Sequence, residues 1–179
     1  MQESALLTVE LVGCKNPSSL ALRSQGVTPA RRKKLAMPDA PIPSVVAMLV
    51  CEQVITEFGT SKKSLIGIFE NVNSVMFPTQ IKIGIYAKLV DADGDYDILI
   101  RLVNLKDESR VADIKAEAKG IKREAAAEIA VNIAGIVLPE PGKYEFQLFA
   151  NDAFLHRVTM NALTLPAGGF QWLQPKSHP

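Results

Sequence analysis

The sequence is poor in the residues on which site chemistry most often depends. Its 179 residues include two cysteines, two histidines and one tryptophan, and aromatics make up 6%. The Cys and His positions show no zinc-ligand spacing, and two cysteines cannot build a disulfide scaffold. Cys14 and Cys51 lie in stretches of different character, so no bridge between them is expected, and a reducing compartment, the cytoplasm, is the simplest location. An excess of one charge is also missing. A formal net charge of +1 excludes a globally basic nucleic-acid surface. The longest apolar run, Val45 to Cys51, falls far below the roughly 18 to 20 residues of a spanning helix, so no membrane span is expected. No phosphate-binding glycine loop, dinucleotide fingerprint or glycine-framed serine elbow occurs. The chain reads as a non-enzyme. What it does have, 47% hydrophobic and 22% charged residues, suffices for a domain with a sizeable core.

Near neutrality conceals two unlike parts. Residues 1–42 hold six basic groups against three acidic ones, whereas residues 43–179 hold 14 basic and 16 acidic groups. The first part carries no sustained periodicity, is punctuated by prolines at 17, 29, 38 and 41, and reads as a flexible extension, with Met37 as an alternative start. Leu11-Val12-Gly13-Cys14 has the form of a lipoprotein box. Its flanks argue against lipidation, because no Lys or Arg precedes Cys14 and Glu10 interrupts the apolar stretch. Residues 43–165 read as the folded domain and 166–179 as a C-terminal tail.

From residue 44 the pattern has a period of two. Ile81, Ile83, Ile85, Ala87 and Leu89 alternate with polar or small residues, and Tyr96, Ile98, Ile100 and Leu102 repeat the pattern after an acidic turn, which predicts one long hairpin over 79–105. A second hairpin is predicted where Tyr144, Phe146, Leu148 and Ala150 lead through Asn151-Asp152 into Phe154, His156, Val158, Met160 and Ala162, all on one face. Further strands are expected over 45–56, 64–70, 111–116 and 128–138. The segment 112–128 is ambiguous, because Lys115 to Lys119 and Glu124 to Glu128 are good helix formers interrupted by Gly120. About eight short strands with frequent turns predict an all-β, two-layer antiparallel sandwich of immunoglobulin-like type. Pro141-Gly142-Lys143-Tyr144 resembles a tyrosine corner, although the Cys, Trp, Cys hallmark of antibody domains is absent.

Cys51-Glu52, Ser64-Leu65-Ile66-Gly67-Ile68-Phe69, Phe77-Pro78 and Pro141-Gly142-Lys143-Tyr144 occur in this order over roughly residues 44–163. In this the chain resembles an uncharacterised bacterial family of small β-sandwich domains, a domain of unknown function. The resemblance implies a fold and a bacterial source, and no activity or site residue.

Few constellations bear chemistry. Asp91, Asp93, Asp95 and Asp97 could supply oxygen ligands to calcium, but Gly94 precedes the third carboxylate where an EF-hand has it following, and Asp and Gly also suit a plain turn. Cys51 with His156 could form a thiolate and base, yet Cys51 sits in an apolar stretch that would raise its thiol pKa, and His178 is penultimate. Arg31, Arg32, Lys33 and Lys34 form a basic run able to grip the phosphates of nucleic acid or an anionic membrane surface, the only place where nucleic acid comes into question, and otherwise a solvated part of the tail. Phe170 and Trp172, beyond Gly168-Gly169, are aromatic anchors that either fold back or dock on a partner. The leading function is a protein-binding or scaffold subunit, joined to a protein partner or to itself through unpaired sheet edges. The alternative is a calcium-assisted module or one that binds a carbohydrate or other small ligand. No resident cofactor is expected.

Overall fold

The alternation that begins at Ser44 continues to Thr164, and it produces strands almost without interruption. The computed structural model of the protein describes residues 8–12 and 40–165. In chain order the strands are β1 (Thr8–Val12), β2 (Ser44–Thr56), β3 (Lys63–Ile68), β4 (Asn71–Ser74), β5 (Thr79–Val90), β6 (Gly94–Asn104), β7 (Arg110–Ile121), β8 (Ala127–Leu138), β9 (Gly142–Ala150) and β10 (Ala153–Thr164). They form two sheets, one of order β1-β7-β6-β9-β10-β4 and one of order β3-β2-β5-β8. No helix occurs among the described residues. The fold is an all-β sandwich.

The core lies between the sheets because every central strand turns one parity inward. Ile98, Ile100 and Leu102 of β6 and Phe146 and Leu148 of β9 meet Ile83, Ile85 and Leu89 of β5 and Ile129, Val131 and Ile133 of β8 in one buried cluster. Each fully buried aliphatic or aromatic side chain contributes about 1.5–3 kcal/mol, and together these offset the backbone ordering cost. The ambiguous segment 112–128 is settled by the same parity. Ile114, Ala116 and Ala118 face the core, and an isolated helix of that composition could not bury them all. Gly120, at φ +65°, adds the extra residue of a bulge, after which Ile121 is buried again.

The structure corrects several expectations. The predicted hairpin over 79–105 is not a hairpin. β5 pairs with β2 and β8, whereas β6 pairs with β7 and β9, so the acidic stretch after β5 carries the chain from one sheet to the other. Alternation specifies an inward face but not the neighbouring strand. The hairpin of β9 and β10 is present, with a bulge between Phe154 and His156. This bulge leaves Phe154 on the outside, not on the core face with Met160. One pairing is parallel: β4, a four-residue strand with too little apolar content to be seen in the sequence, runs beside β10. Finally, Thr8–Val12, inside the expected extension, pairs antiparallel with β7.

On the outer side of the four-stranded sheet the Tyr86 hydroxyl donates to Glu128 Oε1 at 2.9 Å. Burial, and then the adjacent carboxylate, push the Tyr86 phenol from about 10 up to about 12. The folded state therefore holds this proton more tightly than the unfolded chain. Its stabilising share is complete below pH 10 and is lost as pH rises through about 12. Denaturation midpoints measured from pH 9 upward are expected to fall more steeply for the natural chain than for Tyr86→Phe. Parallel curves would remove the assignment.

Candidate functional site

The outer face of the six-stranded sheet collects side chains that the alternation turns away from the core. Strand register stacks them into rows across four strands. One row runs Lys115, Leu99, Phe149, Phe154, and the next runs Asp113, Arg101, Gln147, Arg157. At their centre, Arg101 Nε donates to Asp113 Oδ1 at 3.0 Å and Nη2 reaches Oδ2 at 3.4 Å. The guanidinium carbon also lies 5.5 Å from the centroid of the Phe149 ring. Phe149 in turn meets Phe154 edge to face, with centroids 5.6 Å apart at 72°. Beside this centre is an open cleft of about 640 Å³, lined by residues that include Asp97, Arg101, Arg110, Asp113, Lys115 and Glu117.

These contacts define what the face can do. Arg101 is held by a two-point ion pair and an aromatic ring, so its planar donors are pre-oriented and lose little freedom on meeting a partner. Phe154 is 53% exposed. An exposed aromatic beside an oriented arginine, within a rim of mixed charge, has the composition of the centre and rim of protein interfaces. Below it, Glu145 is 5% exposed, accepts from Gln147 Nε2 at 2.8 Å and lies 3.7 Å from Arg157 Nη1. Burying a carboxylate requires such partners; Gln147 lies on the same strand, and Arg157 links β9 to β10.

The residues singled out in the sequence are dispersed. Asp91 and Asp93 lie in the inter-sheet crossing and Asp95 and Asp97 in β6. Asp95 Oδ1 accepts the Gly120 N–H at 2.8 Å, while the Asp97 N–H donates to Asn151 Oδ1 at 2.8 Å. The Asp93 N–H donates to the Tyr96 hydroxyl at 2.9 Å, and that hydroxyl donates to the Pro41 carbonyl at 2.7 Å. Among the described residues no three Asp, Glu, His or Cys side chains come together as a metal-ligand set. The acidic stretch builds a corner, and the calcium expectation gains no ligand geometry from it.

Cys51 is fully buried in β2, its Sγ 3.4 Å from the Gly84 carbonyl, and burial pushes its thiol up. His156 is exposed on β10 in the other sheet. Among the described residues no hydrogen bond joins the two, and a thiol held protonated is a poor nucleophile. Arg31, Arg32, Lys33, Lys34, Met37, Phe170 and Trp172 lie outside the described residues. The sequence reading missed Arg101, Phe149 and Phe154. Phe149 was legible, because it breaks the inward parity of Tyr144, Phe146 and Leu148; Phe154 was not, because a bulge sets its direction. Among the described residues no helix is long and apolar enough to cross a membrane.

Two layered sheets define the class, an all-β sandwich. Residues 46–163 match the family described as "Family of unknown function (DUF6941)", and the chain belongs to that family. Among curated proteins nothing matches it. Similar solved structures include an immunoglobulin-like protein from Pseudomonas aeruginosa, 15% identical over 72% of this chain and 99% of that one, with a TM-score of 0.38. Another is a beta-glucosidase from Listeria innocua in complex with isofagomine, 10% identical over 69% of this chain and 17% of that one, with a TM-score of 0.37.

Proposed function

We propose that this protein is a non-enzymatic binding module whose six-stranded outer face engages a partner protein. The observation that supports this reading is the pre-oriented Arg101, stacked on Phe149 and paired with Asp113, beside the exposed Phe154. Arginine and aromatic side chains carry a disproportionate share of interface energy, and a charged rim excludes water from around them. The absence of any cluster of metal ligands among the described residues favours this over a calcium-assisted module.

Affinity purification of the tagged full chain from its source cells tests the reading, with Arg101→Gln/Phe154→Ala as the comparison. A partner held through this face is expected to bind the variant at least tenfold more weakly, since two central interface residues contribute about 2 kcal/mol or more. The melting temperature should fall by no more than about 10 °C, because Phe154 is exposed and the half-buried Arg101–Asp113 pair contributes at most about 1–3 kcal/mol. Equal recovery of partner on both chains would sink the proposal.

A further inference from the structure

The edge of the six-stranded sheet offers a second observation, independent of the outer face. β7 would be an edge strand with a row of unpaired N–H and C=O groups, and such edges accept extended segments. Here Thr8–Val12 takes that place, pairing antiparallel from Thr8 opposite Glu117 to Val12 opposite Asp113. The segment comes from far along the chain, separated from the first residue of β2 by residues 13–43. It also lies outside residues 46–163, the span that matches the family.

The residue pattern of the docked segment matches the edge it occupies. Val9 and Leu11 fall at the register positions of Ala116 and Ile114, which are buried, while Glu10 falls opposite Lys115, which is exposed. An apolar, acidic, apolar order of residues is thus in register with an inward, outward, inward alternation of β7. Five residues of pairing make a short strand. Covalent linkage raises the effective concentration of so short a segment at its edge, so its own pairing there need only be weak.

We propose that the β7 edge is a strand-docking site, filled within the chain by Thr8–Val12, and that a partner protein's extended segment of the same apolar, acidic, apolar pattern displaces it. β1 thereby acts as the resident competitor of the partner. A partner seated there would also border the cleft, since Asp113, Lys115 and Glu117 line it.

The test uses the full chain and Val9→Pro/Glu10→Pro, which removes an edge-facing N–H whichever parity the ladder has. Hydrogen exchange should be at least tenfold faster in the variant at those amides of 113–117 that face β1, with β6 and β9 protection unchanged. A fluorescent peptide of residues 7–13 should bind the variant. It should bind the natural chain about tenfold more weakly, because a tethered copy at about millimolar effective concentration competes with a peptide of about 100 μM Kd. Lys115→Glu, a surface change that leaves folding intact, should weaken peptide binding to the variant. Unchanged exchange at 113–117, equal peptide binding to both chains, no binding to either, or equal binding of a scrambled peptide would each overturn the proposal. So would a natural chain that is dimeric and loses this protection on dilution, since the occupant would then be a second copy. Phe154→Ala alone, on β10 and away from β7, should leave the exchange pattern unchanged, which separates failure here from failure of the outer-face reading.

Discussion

Gly84→Val is expected to destabilise the protein by about 3 kcal/mol or more, the upper end of the usual cost of overpacking. Gly84 faces outward on β5 between the buried Ile83 and Ile85, a position where a side chain is ordinarily free. Here the space is taken by β2. A Cβ at Gly84 would lie 2.9 Å from Cys51 Sγ, 2.9 Å from the Val54 backbone nitrogen and 3.0 Å from the Gln53 carbonyl carbon. Pairing between β2 and β5 runs as far as Cys51 opposite Gly84. Beyond that point the Asn132 side chain of β8 grips β2: the Val54 N–H donates to Asn132 Oδ1 at 2.8 Å, and Asn132 Nδ2 donates to the Val54 carbonyl at 2.8 Å. Asn132 is itself the register partner of Gly84. β2 therefore crosses over the bare glycine to reach a side-chain clasp one strand further on. Asn132→Ala should cost about 1–3 kcal/mol for its two hydrogen bonds, and less when added to Gly84→Val, because the crossing is already displaced. Urea denaturation of the two single variants and the double variant measures both effects; a Gly84→Val midpoint equal to that of the natural chain would refute the crossing.

Tyr144→Ala should cost about 3–5 kcal/mol, and Tyr144→Phe about 1–3 kcal/mol. The ring is fully buried beneath the turn that joins β8 to β9. Its hydroxyl donates to the Glu140 carbonyl at 2.6 Å, four residues upstream, as in a tyrosine corner. The same glutamate accepts from Asn104 Nδ2 at 3.0 Å and from Lys106 Nζ at 2.8 Å, and the hydrogen bond from Lys106 is the first cause holding its carboxyl below the usual range. Asn104 is buried and its Oδ1 accepts the Lys106 N–H, so losing the phenol hydroxyl loosens a turn to which β6 is also tied. Alanine adds a cavity to that loss; phenylalanine removes the hydrogen bond alone. Equilibrium denaturation of the pair separates the two contributions. A Tyr144→Phe variant as stable as the natural chain would show that the hydroxyl bond contributes nothing net.

The core was largely legible before any coordinates. Ile83, Ile85 and Leu89, Ile98, Ile100 and Leu102, and Phe146 and Leu148 were placed inward by parity, and all are buried. Parity is a local property, since successive side chains of an extended chain point to opposite faces. It fails where a bulge inserts a residue: Phe154 was placed inward and lies half exposed opposite Phe149. Pairing was less legible. β5 and β6 look like a hairpin because they are adjacent and separated by turn-forming residues, yet Asp91, at φ +59°, begins a crossing between layers. The Tyr144 corner was legible because its turn and its aromatic lie within four residues.

What the sequence by itself determined is the all-β class, the inward residues of the long central strands and the poverty of catalytic groups. These follow from composition and from a period of two, which need no knowledge of distant neighbours. Only the tertiary structure decided which strands pair, that Thr8–Val12 caps β7, and that Arg101, Asp113, Phe149 and Phe154, from four strands, share one face. Cross-strand register joins residues far apart in the chain, and the free energy that selects it comes from burying both sheets at once.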